Sequence, residues 1–215
     1  MNKKKRLNEI YKRLFSYFGR QYWWPGNSKF EIVLGAILTQ NTNWINVEKA
    51  INNLKKGKAL SAKKVFDMPI DKLALMIKPA GYFNLKAKRL KNFINLLFAE
   101  YAGRLSALFN QDLTALRQSL LSVNGIGEET ADSIILYAAG LPVFVVDAYT
   151  KRVFSRHKFI AHSASYAETQ KFFMENLSGN VRMFNEFHAL IVRLGKEFCL
   201  KNKPRCGLCP IRRKV

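Results

Sequence analysis

The sequence is poor in acidic residues. Against 36 lysines and arginines it has only 15 aspartates and glutamates, so its formal net charge is +21 at pH 7. Such an excess attracts polyanions, and the release of counterions from DNA would supply much of the binding free energy. A nucleic-acid partner is therefore the favoured interpretation. Charge alone is also compatible with a ribosomal protein or a membrane-surface protein, or with an organism whose proteins are all rather basic.

Long apolar runs are lacking too. None approaches the ~18–20 residues that a membrane-spanning helix needs, so we expect no membrane partner. The basic start, MNKKKRLNEIYKRL, is not followed by the apolar segment of a secretory signal and predicts a basic amphipathic helix. The three cysteines are confined to the stretch from Cys199 to Cys209. This clustering argues against a disulfide framework and favours a metal or cluster site in a reducing cytoplasm.

Alternating strand patterns are absent as well. Apolar residues recur at three- and four-residue spacing, and glycines and prolines divide the chain into roughly ten helices. The run Leu141 to Val146 has the composition of a strand, but a single strand cannot satisfy its backbone, so we interpret it as a buried connector. The sequence therefore predicts an all-α fold with a substantial core.

The most informative segment contains two glycines separated by one residue. An apolar helix predicted from Leu113 to Leu121 runs into Gly125-Ile126-Gly127, and the next helix opens with acidic residues. Glycines let backbone N–H groups approach a phosphate with no side chain in the way. Such contacts position DNA without reading its sequence. An ordinary turn between helices explains the local pattern equally well.

An aspartate follows an apolar run further along the chain. Asp147 stands after Val145-Val146 and before a segment with two cations, Lys151 and Arg152. This pattern predicts the N-cap of a helix. A cap residue beside a cleft is rigidly held, so capping and catalysis can coexist.

Together these segments resemble the helix-hairpin-helix DNA glycosylase superfamily, in its endonuclease III branch. That family has a G-I/V-G hairpin, a later V-D pair with a catalytic aspartate, an L-S/T-x-Q segment in an early helix, and C-terminal cysteines. The second motif is matched by Asp147. The third corresponds to Leu38-Thr39-Gln40-Asn41-Thr42, in which Gln40 directly follows the threonine. The resemblance runs from Trp23 to Cys209, with four motifs in the family's order.

The resemblance implies two helical lobes flanking a DNA-binding cleft. Residues 30–143 would form a six-helix bundle with the hairpin, and residues 1–29 and 144–215 a second lobe with the cysteine loop. Asp147 would be catalytic, at the junction of the lobes, and Gln40 would fill the gap left by a flipped base. The expected partner is duplex DNA containing a damaged base, bound by a cytoplasmic, nucleoid-associated monomer. The implied DNA-binding residues are Gln40, Gly125, Ile126, Gly127 and Thr130.

One position departs from the pattern of family members that also cleave the DNA backbone. Those members carry a lysine two residues after the second glycine, where this chain has Glu129. Schiff-base chemistry needs an amine, which a carboxylate cannot supply. We therefore expect a monofunctional enzyme that hydrolyses the N-glycosidic bond. Lys151 remains open as a substitute amine.

The three tryptophans suggest a substrate class. The W-W-P and L-T-Q-N-T segments resemble the 3-methyladenine DNA glycosylase III-like subgroup, which implies a base pocket and an alkylated purine substrate. Aromatic faces suit a flipped, cationic base. The alternative is that Trp23 and Trp24 belong to the core. The implied pocket residues are Trp23, Trp24, Pro25 and Trp44.

The cysteines match the first three ligands of the family's cluster loop, C-x6-C-x2-C-x5-C. These are Cys199, Cys206 and Cys209, whereas the fourth position holds Val215. The resemblance thus implies a candidate 4Fe-4S cluster with an incomplete ligand set. A zinc site with a non-cysteine ligand and an empty loop are the alternatives. A nearby basic patch suits DNA phosphates; it comprises Lys201, Lys203, Arg205, Arg212 and Arg213.

Two other functions stay open from the sequence. One is an endonuclease III-like glycosylase for oxidised pyrimidines or mismatched bases, against which Glu129 argues because lyase activity would need an amine. The other is a non-catalytic, structure-specific DNA-binding protein. Asp147 discriminates between enzyme and binder, because a binder needs no carboxylate there.

Overall fold

The computed structural model describes residues 3–212, and this part of the chain contains α-helices, short 3-10 and π-helical segments, and no β-strand. The predicted all-α fold is confirmed. Twelve α-helices occur between residues 3 and 212, more than the ten expected, because helices of four to seven residues are too short to show a clear apolar period. They are α1 (Lys3–Phe18), α2 (Lys29–Leu38), α3 (Trp44–Lys56), α4 (Ala62–Asp67), α5 (Ile70–Met76), α6 (Phe83–Tyr101), α7 (Leu105–Leu108), α8 (Leu113–Leu121), α9 (Glu128–Ser133), α10 (Ala148–Arg156), α11 (Tyr166–Asn176) and α12 (Val181–Glu197).

The chain divides into two compact units. The first comprises Met1–Trp23 and Pro142–Val215, and the second is Trp24–Leu141. The sequence-based division at 30 and 143 differs from these boundaries by six and two residues. The second unit holds α2 to α9. Within residues 3–212, no helix is both long and apolar enough to cross a bilayer.

Helix α2 ends just before Gln40. Ser28 caps its N-terminus by accepting a hydrogen bond from the Glu31 N–H, and the Thr39 hydroxyl donates to the Gly35 carbonyl at 2.6 Å where the helix ends. Asn41 then adopts a left-handed conformation with φ 53°. The expectation that Gln40 belongs to an early helix is therefore wrong, because the chain turns at Thr39 and places Gln40 in the loop before α3.

A buried lysine fixes this turn to α6. The Lys86 Nζ donates to the carbonyls of Leu38 and Ala80, each at 2.8 Å, and the residue is only 1% exposed. Burial, with a smaller contribution from the nearby Arg89, lowers the pKa of Lys86 to about 8. The two carbonyls compensate the amine for lost water, so Lys86 anchors the chain directly before Gln40.

An ion pair joins the two helices on either side of the glycine turn. Arg117 of α8 donates to both carboxylate oxygens of Asp132 in α9, at 2.7 and 3.2 Å. The Asp132 side chain is fully buried, whereas that of Arg117 is 27% exposed. A two-point contact of this kind sets the angle between the helices as well as their distance.

We expect Arg117→Leu to destabilise the protein by about 3–5 kcal/mol, because the Asp132 carboxylate would stay buried without its arginine. The measurement is urea unfolding followed by circular dichroism. Lys63→Leu, which breaks the exposed pair with Asp67, is the matched control and should cost less than about 1 kcal/mol. Similar losses in both variants would show that the Arg117–Asp132 pair does not brace the hairpin.

The first unit has a core of phenylalanine rings beneath the segment that leads to Asp147. Phe144 stacks on Phe173 with ring centroids 4.1 Å apart. The backbone of this extended segment is satisfied by α11, since Gln170 donates to the Phe144 carbonyl at 2.7 Å and the Val146 N–H donates to the Tyr166 hydroxyl at 3.3 Å. Residues 143–146 are buried and form no strand. The predicted buried connector is confirmed for residues 143–146, whereas Leu141 and Pro142 are partly exposed.

Helices α10 and α12 pack closely because of one glycine. A Cβ at Gly195 of α12 would overlap the Tyr149 ring of α10. Arg152 adds hydrogen bonds from α10 to the carbonyls of Gly195 and Cys199, at 3.0 and 2.8 Å. This close packing holds the start of α10 against α12.

Candidate functional site

The glycine turn joins α8 and α9 as predicted, and its two glycines have different roles. Gly125 has φ +95°, in the left-handed region, and a Cβ there would overlap the Arg89 side chain. Gly127 is exposed, caps α9 and has no atom near the position of a Cβ. Ile126 is buried and anchors the turn. Only Gly127 of the pair therefore offers an unobstructed backbone surface to a ligand such as a phosphate.

Gln40 is hydrogen-bonded to this turn. Its Nε2 donates to the Gly125 carbonyl at 3.0 Å and to the Thr130 hydroxyl at 2.9 Å, and its Oε1 accepts from the Arg89 guanidinium. Thr130 is buried, so its side chain faces Gln40 and the protein interior. The structure thus brings together two predicted DNA-binding residues but gives Thr130 a supporting position within the hairpin.

A concave surface of about 520 Å³ lies at the same place. Four of its residues carry a charge or a side-chain amide: Arg89, Glu129, Gln40 and Asn41. The remaining lining residues are Gly125, Ile126 and Gly127. The surface combines a cation, exposed backbone and amide groups, a set suited to the phosphates and base edges of a nucleic acid. Glu129 also lines this concave surface. It stands at the position where the lyases of the family that the sequence resembles have an amine.

Asp147 caps α10, as predicted. Its Oδ1 accepts a hydrogen bond from the Thr150 N–H at 2.6 Å, and its Oδ2 lies 3.5 Å from the Nε2 of His188 in α12. The side chains of Asp147 and His188 are 11% and 8% exposed. The carboxylate is therefore hydrogen-bonded at Oδ1, lies beside His188 at Oδ2 and retains a small accessible surface.

The surroundings of Asp147 keep it ionised. Burial by itself raises the pKa of the carboxyl group, but the adjacent His188 and the Thr150 N–H outweigh burial and hold the pKa below its usual range. A group of this kind is a weak base but a permanent negative charge at neutral pH. The geometry suits electrostatic stabilisation of a nearby cation better than proton abstraction.

The tryptophans do not all lie in one unit. Trp24 and Trp44 meet edge to face with centroids 5.4 Å apart, and Tyr137 lies 5.2 Å from Trp24, forming an aromatic cluster in the second unit. Trp24 and Trp44 are partly exposed and Pro25 is exposed. Trp23 is part of the first unit. The structure groups two of the predicted pocket residues and adds Tyr137.

Comparisons with known proteins decide the family. The model of the HhH-GPD superfamily of base excision DNA repair proteins matches residues 34–178, which include the hairpin and Asp147. The chain belongs to this superfamily. It is accordingly a DNA glycosylase of base excision repair in the endonuclease III branch, with DNA as its partner.

Three relatives show how far the similarity extends. A protein of Methanocaldococcus jannaschii, provisionally named a DNA repair glycosylase, is 49% identical over 98% of this chain and 96% of its own length. The crystal structure of H. pylori 3-methyladenine DNA glycosylase bound to 1,N6-ethenoadenine is 31% identical, with a TM-score of 0.78 over 89% of this chain and 97% of that one. The structure of a trapped endonuclease III–DNA covalent intermediate has 21% sequence identity to this chain, and the match covers 98% of this chain and 94% of that one. Its TM-score of 0.84 shows that the two share a fold.

The cysteine loop of this glycosylase supplies three thiols, one fewer than the irons of a 4Fe-4S cluster. Cys199 is buried and its Sγ lies 3.4 Å from the Arg156 guanidinium, Cys206 is exposed, and Cys209 is half-buried. Burial, together with the charges of the other two thiols, raises the pKa of Cys209. Within residues 3–212, no three histidine, cysteine or acidic side chains are placed to share a metal ion. Val215 and Arg213, also predicted to belong to this loop, lie outside the described residues.

We expect the glycosylase purified without oxygen to contain less than one four-iron cluster per chain, because three thiols leave one iron without a protein sulfur. Val215→Cys would restore the family spacing and should raise the iron content. The measurements are iron analysis and absorbance in the blue region. If both proteins lack iron and keep full glycosylase activity, the loop binds no cluster and is held in place by packing and by Arg156.

Sequence reasoning missed three residues near the predicted site. Arg89 holds Gln40, Tyr137 joins the tryptophans, and His188 contacts Asp147. Each comes from a helix distant in sequence from its partner, and the apolar pattern of that helix shows only that one face is buried. A histidine on the apolar face of α12 was the one available signal, because a buried imidazole needs a polar partner.

Proposed function

We propose that this glycosylase hydrolyses the N-glycosidic bond of alkylated purines in duplex DNA and leaves the backbone uncut. The observation that carries the proposal is the nearly buried, ionised carboxylate of Asp147, fixed by Thr150 and His188. Loss of a base turns the sugar into an oxocarbenium-like cation, which a fixed negative charge stabilises. Because the pKa of Asp147 is low, its role is electrostatic, and water is the nucleophile.

The substrate class follows from the shortage of acid catalysis. A carboxyl group that stays ionised cannot protonate a departing base, so the favoured substrates are bases that leave easily by themselves. An N-alkylated purine such as 3-methyladenine already carries a positive charge, which it loses on departure. The aromatic cluster of Trp24, Trp44 and Tyr137 supports the proposal, since electron-rich rings attract a cationic base. The H. pylori relative, which is a 3-methyladenine DNA glycosylase, supports the same class.

The absence of backbone cleavage is proposed from Glu129. Its carboxylate stands where the lyases of the family have an amine, and a carboxylate cannot form a Schiff base. The other candidate amine, Lys151, donates to the Ala164 carbonyl at 2.9 Å and is half-buried. That hydrogen bond directs the Lys151 Nζ to the chain segment before α11.

A lesion panel tests this function. The enzyme is incubated with duplexes that each contain one damaged or mispaired base, and alkali then reveals abasic sites. We expect strand breaks after alkali treatment in alkylpurine duplexes and few breaks without it. Preferred excision of an oxidised pyrimidine or a mismatched base would overturn the substrate assignment. Binding without excision of any base would favour a structure-specific DNA-binding protein.

We expect Trp44→Leu to lower kcat/KM for an alkylpurine by about 5- to 150-fold, because base–aromatic stacking is worth roughly 1–3 kcal/mol. Duplex binding and the melting temperature should change little, since Trp44 is partly exposed. Phe66→Leu, at an exposed ring stacked on Phe98, is the matched aromatic control. A parallel loss of activity, binding and thermal stability would support a core role for the tryptophan cluster.

A further inference from the structure

Three side chains of α6 hold the end of α2 and the glycine hairpin together. Lys86, Arg89 and Asn92 are spaced three residues apart, so they lie along one side of the helix. Lys86 holds the carbonyl at the end of α2, Arg89 donates to Gln40, and Asn92 donates to the Asn124 carbonyl of the hairpin at 3.0 Å. This row of side chains fixes the place of Gln40 relative to the hairpin.

The amide of Gln40 is engaged at both ends. Its Nε2 donates to the Gly125 carbonyl and the Thr130 hydroxyl at 3.0 and 2.9 Å, and its Oε1 accepts from the Arg89 guanidinium. A guanidinium only donates and a carbonyl only accepts, so these two partners determine which end of the amide lies on which side. Without Arg89 the Oε1 end of the amide would have no partner among these groups.

Arg89 is itself held against the hairpin by packing. A Cβ at Gly125 would overlap the aliphatic part of Arg89, so the arginine can lie across the turn only because that position is a glycine. The Arg89 side chain is half-buried and lines the same concave surface as Gln40 and Gly127. The guanidinium is therefore placed at Gln40 with little freedom left to lose.

We infer that Arg89 is a positioning residue for base excision: it holds the Gln40 amide beside the hairpin in the orientation in which Gln40 enters the gap left by a flipped base. The inference rests on the predicted insertion of Gln40 into DNA. Arg89 acts on the reaction through Gln40. Its positive charge also favours binding to DNA, but that effect is separate and a neighbouring cation can reproduce it.

Holding Gln40 in advance favours the flipped state of the DNA. Extruding a base from the stack costs free energy, and filling the gap that it leaves opposes its return. A glutamine free in solvent would lose rotamer freedom on entering the gap. Gln40 has already lost much of that freedom, because three hydrogen bonds hold its amide. Arg89 therefore lowers the free-energy cost of filling the gap.

Two substitutions on α6 separate positioning from charge. Arg89→Met keeps an unbranched chain over Gly125 but cannot donate to Gln40. We expect its single-turnover excision rate at saturating enzyme to fall by about 10- to 100-fold, the effect of losing a hydrogen bond to a charged group. Lys88→Met removes the same charge at an exposed position one residue away. Both variants should bind duplex DNA slightly more weakly, but Lys88→Met should keep the wild-type rate at saturation.

Arg89→Lys tests the geometry of the contact while the charge is kept. Its amine ends about one bond short of the guanidinium nitrogen that donates to Gln40, so the hydrogen bond should be weakened. We expect duplex affinity like that of the wild type and a saturated rate lower by about 3- to 10-fold. This variant also keeps the inference testable if Arg89→Met lowers the melting temperature strongly.

A double-mutant cycle provides a readout that a merely structural role would not move. Gln40→Ala removes the group that Arg89 holds. In that background Arg89→Met should lower the saturated rate by less than about threefold further. Losses that multiply fully in the double variant would show that Arg89 acts independently of Gln40, which would overturn the inference.

Fluorescence of 2-aminopurine reports gap filling without base excision. In a duplex with 2-aminopurine opposite an abasic-site analogue the gap already exists, and the fluorescence depends on stacking of the aminopurine. Wild-type enzyme should change this fluorescence, and Arg89→Met should reduce the change to the level of Gln40→Ala. Lys88→Met should give the full change once the duplex is saturated.

An unchanged saturated rate in Arg89→Met would overturn the inference. A raised rate would also overturn it, because it would show that the hydrogen bonds hold Gln40 away from the DNA. Failure of the proposed alkylpurine substrate has a different signature. Another lesion would then be the best substrate in the panel, while the fluorescence differences between the variants would persist, since that duplex contains no base to be excised.

Discussion

Asp147→Asn is expected to reduce base excision by at least about 10²–10³-fold while leaving duplex affinity within a fewfold of wild type. Asparagine has nearly the shape of aspartate and is an equally good N-cap, so the hydrogen bond from the Thr150 N–H should persist. What disappears is the negative charge beside the developing sugar cation. The measurement is the single-turnover rate on the preferred lesion, with affinity for an uncleaved duplex measured in parallel.

The chain offers a matched control for this substitution. Asp112 caps α8 in the same way, with its Oδ1 accepting from the Ala115 N–H at 2.9 Å, but it is exposed. Asp112→Asn should therefore leave excision, binding and melting temperature unchanged. Near wild-type excision by Asp147→Asn would remove this carboxylate from the mechanism. If Asp147→Asn lowers the rate and also lowers the melting temperature strongly, Asp147 acts only as a structural helix cap.

The parts of the site that the sequence could predict are local. The glycine turn, the helix Leu113–Leu121 before it and the cap at Asp147 each depend on residues within a few positions of one another. Their conformations follow from backbone preferences and nearby hydrogen bonds, which a single sequence displays directly. These predictions agree with the structure for that reason.

The unpredicted parts depend on contacts between distant segments. Arg89 reaches Gln40 from 49 residues away, and His188 meets Asp147 across α10 and α12. A periodic apolar pattern shows which face of a helix is buried but not which polar group lies opposite it. The position of Gln40 was missed for a related reason. The residue types around it are compatible with a longer helix, but the Thr39 hydroxyl bonds back to Gly35 and Asn41 is left-handed, so α2 ends before Gln40.

Trp23 illustrates another limit of sequence reasoning. It is adjacent to Trp24 in the chain, and the resemblance predicts that both line one pocket. The boundary between the two compact units falls between them. Adjacent residues at such a boundary belong to different compact units, and composition gives no sign of where the boundary lies. The pocket role of Trp23 therefore stays a prediction, whereas Trp24 and Trp44 are in ring contact.

Glu129→Lys is expected to convert a purely hydrolytic enzyme into one that borohydride can trap on DNA. Glu129 is exposed in the first turn of α9 and lines the concave surface over the hairpin. Lysine is a good helix former, so the substitution should be tolerated. It would place an amine where the lyases of the superfamily have theirs. The amine can attack C1′ as the base departs, and borohydride reduces the resulting Schiff base to a stable adduct.

The wild-type enzyme, by contrast, should give no trapped adduct on the lesion that it excises. The adduct is measured as a band of reduced mobility on a denaturing gel. Glu128→Lys is the matched control, since it makes the same change of charge one residue earlier, where the carboxylate lies 3.4 Å from Arg117. It should raise DNA affinity as Glu129→Lys does but give no adduct, because consecutive helical residues point in different directions. A wild-type adduct that disappears in Lys151→Met would contradict the assignment, since it would show that Lys151 leaves the Ala164 carbonyl to act as the nucleophile.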